Sequence, residues 1–151
     1  MTPETPETPQ ALAETIAESF NGRHTLDKLL NIEFISIGPG TATMKMPITV
    51  DLVNVYGSTH GGAVFALADA VFAYACNSQN VVTVASGCSI EYLAPSFPGD
   101  VLTATATFQG GRGRQGIYDI MITNQDDKLI ATFRGKSHAT KQTVLGEPPH
   151  E

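Results

Sequence analysis

The residues from Ser58 to Gln79, STHGGAVFALADAVFAYACNSQ, constrain the fold more than any other stretch of the chain. They read as a helix that is apolar on nearly every side, and such a helix has to be covered over most of its surface. In its middle stands a single carboxylate, Asp69. An ionised carboxylate in apolar surroundings costs several kcal/mol unless it is paired or hydrogen-bonded. Asp69 is therefore either compensated, by a partner subunit or a nearby basic group, or used, as a catalytic base or nucleophile tuned by partial desolvation.

Nine residues upstream, His60, Gly61 and Gly62 stand at the loop-to-helix junction. The first N–H groups of a helix have no internal partner and sit at the positive end of its dipole, and glycine lets a ligand approach the backbone. Such a place either holds a developing oxyanion or is a simple glycine cap; an oxyanion donor is worth about 3 kcal/mol of transition-state stabilisation. Gly61 and Asp69 are eight residues apart, roughly 12 Å along one helix, which an Asp side chain does not span. If both act on one carbonyl, the carboxylate comes from a second copy of the helix running the opposite way, as in a two-fold dimer. The expectation is a composite site at a homodimer interface, two per dimer. Cys76 lies seven residues past Asp69, but a thiol nucleophile needs a paired base, and a buried free thiol is the commoner reading. Phe72 and Tyr74 either line an aromatic pocket or belong to the core.

The rest of the chain has to cover that helix. Leu12, Ile16 and Phe20 recur every fourth residue as on one face of a short helix that Gly22 stops, and TLDKLLN suggests a further turn capped by Thr25. IEFISI and TATMKM read as strands separated by GPG, and in the second Ala42, Met44 and Met46 alternate with polar residues until Pro47. After the apolar helix come four strand-like runs, at 81–93, 101–108, 117–123 and 129–138, with QGGRGRQG read as a loop between the second and third. The order is ββαββββ with an N-terminal helix. Short connections imply an antiparallel sheet, curved around the helix, in an α+β domain from residue 11 to 145. The Thr-Pro-Glu repeats of residues 1–10 favour disorder, and 146–151 reads as a loose tail.

Composition narrows the function. With 9 Lys and Arg against 15 Asp and Glu, the formal charge of −6 opposes a nucleic-acid partner. Asp69 and the polar loop before the helix make a membrane span a poor reading. Two cysteines in apolar runs and no signal-peptide pattern point to a reducing cytoplasm.

The ββαββββ order with HGGAVFALAD resembles the hotdog-fold acyl-CoA thioesterases, in particular the PaaI type of phenylacetate degradation. FAYACNSQ, LTATA, YDI and FRGKSH strengthen the resemblance. It implies metal-free and cofactor-free hydrolysis of hydroxyphenylacetyl-CoA esters, coenzyme A being part of the substrate, by tetramers built from two dimers. It implies Asp69 as the catalytic carboxylate, Gly61 as the backbone donor to the thioester C=O, and Asn54 as the polar residue of the preceding loop. An Asn in a loop otherwise serves a turn. His60 is then used through its backbone position more than its imidazole. Gly62 shares the helix start, and Ser86 either faces water between subunits or is a structural hydroxyl. Arg112, Arg114, Arg134 and Lys136 are candidates for the CoA phosphates, against the reading of a solvated hairpin tip. A hotdog dehydratase or hydratase working through His60 and Asp69, and a non-catalytic acyl-CoA sensor, are the alternatives.

Overall fold

The computed structural model describes residues 8–146. Two short helices, α1 (Pro9–Phe20) and α2 (Thr25–Leu29), precede the strands β1 (Glu33–Gly38) and β2 (Thr41–Pro47). The long helix α3 (Gly61–Asn77) follows, then β3 (Thr83–Tyr92), β4 (Val101–Arg112), β5 (Gln115–Thr123) and β6 (Leu129–Ala139). All pairings are antiparallel, and the sheet order is β1-β2-β4-β5-β6-β3. The expected ββαββββ hotdog architecture is thus present.

One helix touches all six strands here, which requires the sheet to curl around it. The period-two pattern explains how. In β2, Ala42, Met44 and Met46 are buried, and in β4 so are Leu102, Ala104 and Ala106. Their registers set Ala42 opposite Ala106, Met44 opposite Ala104 and Met46 opposite Leu102, so the two strands share one buried apolar face beneath the helix. Leu67, Val71 and Phe72 of α3 fill that concavity. At Gly135 in β6 an added Cβ would stand 2.7 Å from the Phe72 ring, so the ring's seat against the sheet depends on glycine.

Three expectations need correction. Helix α1 starts at Pro9, ahead of residue 11 where the domain was expected to begin, because the Thr8 hydroxyl accepts the Ala11 N–H at 3.0 Å and proline tolerates the first turn. Residues 8–10 therefore belong to the folded part: Gln10 donates to the Ile37 carbonyl at 2.8 Å. The rest of the proposed N-terminal tail, 1–7, and the end of the chain, 147–151, lie outside the described residues. Thr25 is the first residue of α2 rather than its cap, a position taken by His24. The QGGRGRQG stretch is paired almost throughout, from Gly110 opposite Ile117 to Arg112 opposite Gln115, because an antiparallel reversal needs only two residues, Gly113 and Arg114. As expected, α3 is covered over most of its surface but not all round. Gly62 and Asp69 are exposed and Ala66 and Ala73 half-buried, leaving one open stripe along the helix.

Among the described residues no helix is long and apolar enough to cross a membrane.

Candidate active site

The start of α3 is built by contacts that fix most of its backbone polar groups. His60 precedes the helix, its N–H bound to the Leu52 carbonyl at 2.7 Å, and its Nδ1 accepts the Gly62 N–H at 2.9 Å. That bond places the imidazole proton on Nε2 and consumes Gly62 as a donor. The His60 carbonyl accepts from Ala63 and Val64. Gly61 carries the remaining donor: among the described residues its N–H has no hydrogen-bond partner. Its carbonyl accepts the Tyr92 hydroxyl at 2.8 Å, and an added Cβ would stand 3.1 Å from that ring, so a side chain here requires the ring to shift by a few tenths of an ångström. Gly61 lines a cavity of about 390 Å³ together with Asn54, Ser58, Tyr92 and Ser96.

Asn54 shapes that cavity's wall. Its Oδ1 accepts from the N–H groups of Tyr56 and Ser58, and its Nδ2 donates to Ser58 Oγ at 2.9 Å. The side chain therefore makes the turn, as a loop Asn commonly does, and keeps one amide hydrogen to offer a ligand. A buried bond from Ser96 Oγ to Thr59 Oγ1, at 2.6 Å, ties this loop to the segment after β3.

Asp69 is not part of this cavity. It sits on the open stripe of α3, and partial burial among apolar neighbours holds its carboxyl above the ordinary carboxylate range. Within one chain nothing joins it to Gly61, eight residues back along the helix. Beside it runs β3, the edge of the sheet, exposed along most of its length from Val84 to Tyr92. Cys88 on that strand is near enough for the Asp69 charge to push its thiol up, after burial itself. Cys76 is buried and pushed up to about 12, which makes it an inert core thiol. Ser86 donates to the Lys136 carbonyl at 3.1 Å, beside the bulge in β3.

The four basic candidates separate. Arg112 and Arg114 border a cavity of about 270 Å³ beyond the C-terminal half of α3, shared with Cys76 and Ser137. Arg134 instead forms a bidentate pair with Asp119, at 2.6 and 2.8 Å, which holds that carboxyl below its usual range. Lys136 follows two residues later on the same exposed side of β6. Among the described residues, no three His, Cys, Asp or Glu side chains gather as a metal would require.

Sequence reasoning missed Tyr92, Ser58 and the Thr59–Ser96 pair. Tyr92 reaches Gly61 across 31 positions, and no local pattern marks a strand-end tyrosine as a clamp on a distant helix start.

The curled antiparallel sheet around one long helix agrees with what known proteins show. Residues 56–131 match the thioesterase superfamily, and the chain belongs to that family, among the hotdog acyl-CoA thioesterases of the PaaI type. It is 49% identical over 120 residues to acyl-coenzyme A thioesterase PaaI of Escherichia coli, an alignment covering 80% of this chain and 86% of that protein. The solved structure of the E. coli PaaI protein from the phenylacetic acid degradation operon superposes with a TM-score of 0.87 at 43% identity, covering 90% and 99% of the two chains. A hypothetical thioesterase of Streptococcus pneumoniae, solved with coenzyme A, gives a TM-score of 0.70 at 25% identity over 73% and 86%.

Proposed function

We propose that this thioesterase hydrolyses aromatic acyl-CoA esters, hydroxyphenylacetyl-CoA first among them, in cytoplasmic phenylacetate catabolism. Each of its sites is shared between two protomers of a homodimer, and two dimers associate as a tetramer. The observation that carries the shared site is the separation of its halves: Gly61, whose N–H is free, lines a cavity that Asp69 of the same chain does not. The exposed β3 edge and the open stripe of α3 supply a surface on which a second copy would cover both. The aromatic acyl group is supported by the likeness to a phenylacetic acid degradation protein.

In this reading the thioester oxygen accepts the Gly61 N–H of one protomer while Asp69 of the other takes a proton from water. The water oxygen bonds to the carbonyl carbon, and the oxyanion is held at the helix start, where dipole and free N–H both favour it. Collapse breaks the C–S bond, the proton passes from Asp69 to the departing sulfur, and the carboxylic acid and CoA thiol leave. No metal or organic cofactor takes part. The spare Asn54 amide hydrogen is placed to orient the substrate or the water. Arg112 and Arg114 serve the CoA phosphates, a role for which Arg134 is less suited because Asp119 already occupies its guanidinium.

The test is thiol release from acetyl, medium-chain, phenylacetyl and hydroxyphenylacetyl thioesters, with Asp69→Asn as control. Rapid release from the aromatic esters alone, lost in the control, is the expected result. Equal rates on all four, or double-bond chemistry without thiol release, would remove the assignment.

A further inference from the structure

The direction of the free Gly61 N–H is set by the residues just before it, and these are held from outside their own loop. The Thr59 N–H donates to the Ser96 carbonyl at 2.8 Å, and the His60 N–H to the Leu52 carbonyl at 2.7 Å. Ser96 Oγ donates in turn to Thr59 Oγ1 at 2.6 Å, and these two residues are only 2% and 9% exposed. A hydrogen bond shut away from water is stronger than its exposed equivalent, and removing one partner leaves the other stranded. The loop has little else to hold it by packing, since Val55 and Tyr56 at its tip are almost wholly exposed. Gly61 and Gly62 bring no side chains to anchor the junction, and glycine leaves the backbone freer than any other residue.

Ser96, by contrast, is a fixed point. It lies in the segment that leaves β3, where the N–H groups of Leu93 and Ala94 both donate to the carbonyl of buried Ile130 in β6, at 2.8 and 3.1 Å. On its other side the Phe97 N–H is bound by the Asp100 carboxylate at 2.8 Å. Ile48, just after β2, donates to the Asp100 carbonyl at 2.8 Å and accepts the Gly99 N–H at 2.9 Å. The segment is therefore pinned to the sheet at both ends, and the hydroxyl of Ser96 carries that rigidity to Thr59, two residues before Gly61.

Building on the proposed thioesterase function, we propose that the buried Ser96–Thr59 hydroxyl pair is a positioning element for the oxyanion, through which the segment after β3 fixes where the Gly61 N–H points. Neither hydroxyl is required to touch the reacting atoms. An oxyanion donor acts only within about 2.7–3.1 Å of the place where charge develops. A misplacement of roughly 1 Å costs about 10²-fold in rate, so a tie that limits smaller excursions of the loop has a measurable worth.

The test measures kcat, KM and melting temperature for Thr59→Val, Thr59→Ser, Ser96→Ala and the double variant Thr59→Val with Ser96→Ala. The substrate is whichever of the thioesters named above the unaltered protein hydrolyses fastest. Thr59→Val and Ser96→Ala are each expected to lower kcat about tenfold with little change in KM. Thr59→Ser keeps the hydroxyl and is expected to recover most of that loss. The double variant strands neither hydroxyl, so it is expected to melt closer to wild type than Thr59→Val does, while its kcat stays low. Recovery of kcat together with melting temperature in the double variant would show a pair that only stabilises the fold, and overturns the inference, as do single variants that keep the wild-type kcat. Should Thr59→Val not fold, Ser96→Ala against Thr59→Ser decides by the same criterion: equal kcat in the two overturns the inference. Absence of thiol release from every one of the esters with the unaltered protein would instead overturn the proposed function, and this role with it.

Discussion

At Gly61 one chain completes its half of the site. The glycine is clamped by Tyr92, the neighbouring N–H is taken by His60, and the loop beyond is folded by Asn54, Ser58 and the Thr59–Ser96 bond. Eight residues on, at Asp69, the same helix presents a carboxylate on an open stripe beside an unpaired strand edge. The contrast teaches that a helix start can be finished by its own chain, since its polar groups need only local partners. A carboxylate meant to meet a donor some 12 Å away along the same rigid rod cannot be finished that way.

The sharpest way to break this contrast is to remove the carboxylate. Asp69→Asn is expected to lower kcat by about 10²–10⁴, the range for loss of a general base. The variant is also expected to melt slightly higher at neutral pH. A carboxyl raised above its unfolded value binds protons more readily in the native state, so ionised Asp69 lowers stability as pH rises through its folded pKa, and the amide avoids that loss. The acid limb of the wild-type kcat/KM profile should accordingly lie above the ordinary carboxylate range; a limb near pH 4 would contradict the raised Asp69 carboxyl.

Next in size is Gly61→Pro, which deletes the free N–H at a helix position that tolerates proline, with an expected loss of about 10²–10³ in kcat. Mixing its subunits with Asp69→Ala subunits should restore about a quarter of wild-type activity, because each hybrid dimer keeps one intact site. Hybrids confirmed by mass spectrometry that remain inactive would place both groups in one chain's site.

Tyr92→Phe sharpens the Gly61 half alone. It removes one hydrogen bond to a backbone carbonyl and is expected to cost about three- to tenfold in kcat with little change in KM. Smallest is the double change Arg112→Ala with Arg114→Ala, expected to raise KM for CoA thioesters several-fold while kcat holds. Arg134→Ala should leave KM within error; a larger effect there than at Arg112 and Arg114 would reverse the assignment of the phosphate contacts.

Much of this was legible along the chain. Met44 and Met46, alternating with polar residues, marked β2 and its buried face. The lone Asp69 in an apolar helix marked the chemistry, and the His60-Gly61-Gly62 junction marked the donor. The glycines of 110–116 misled because they resemble a loop, whereas in an antiparallel pair they can continue the ladder and bulge it. Asp27 drew no notice, since a charged residue in a short amphipathic turn is ordinary until tertiary packing buries one of its oxygens. Tyr92 was equally silent.

By itself, then, the sequence determined the period of each element, the helix that must be enclosed, and which residues carry a proton or an open N–H. These follow from side-chain chemistry and local spacing. Only the tertiary structure decided that α3 keeps one stripe bare, that Arg134 is occupied by Asp119, and that Phe20, His24, Phe34 and Tyr74 gather around Asp27. Those outcomes depend on how a twisted sheet closes over a helix and which distant side chains it brings together, and such distances are not encoded in any short stretch of residues.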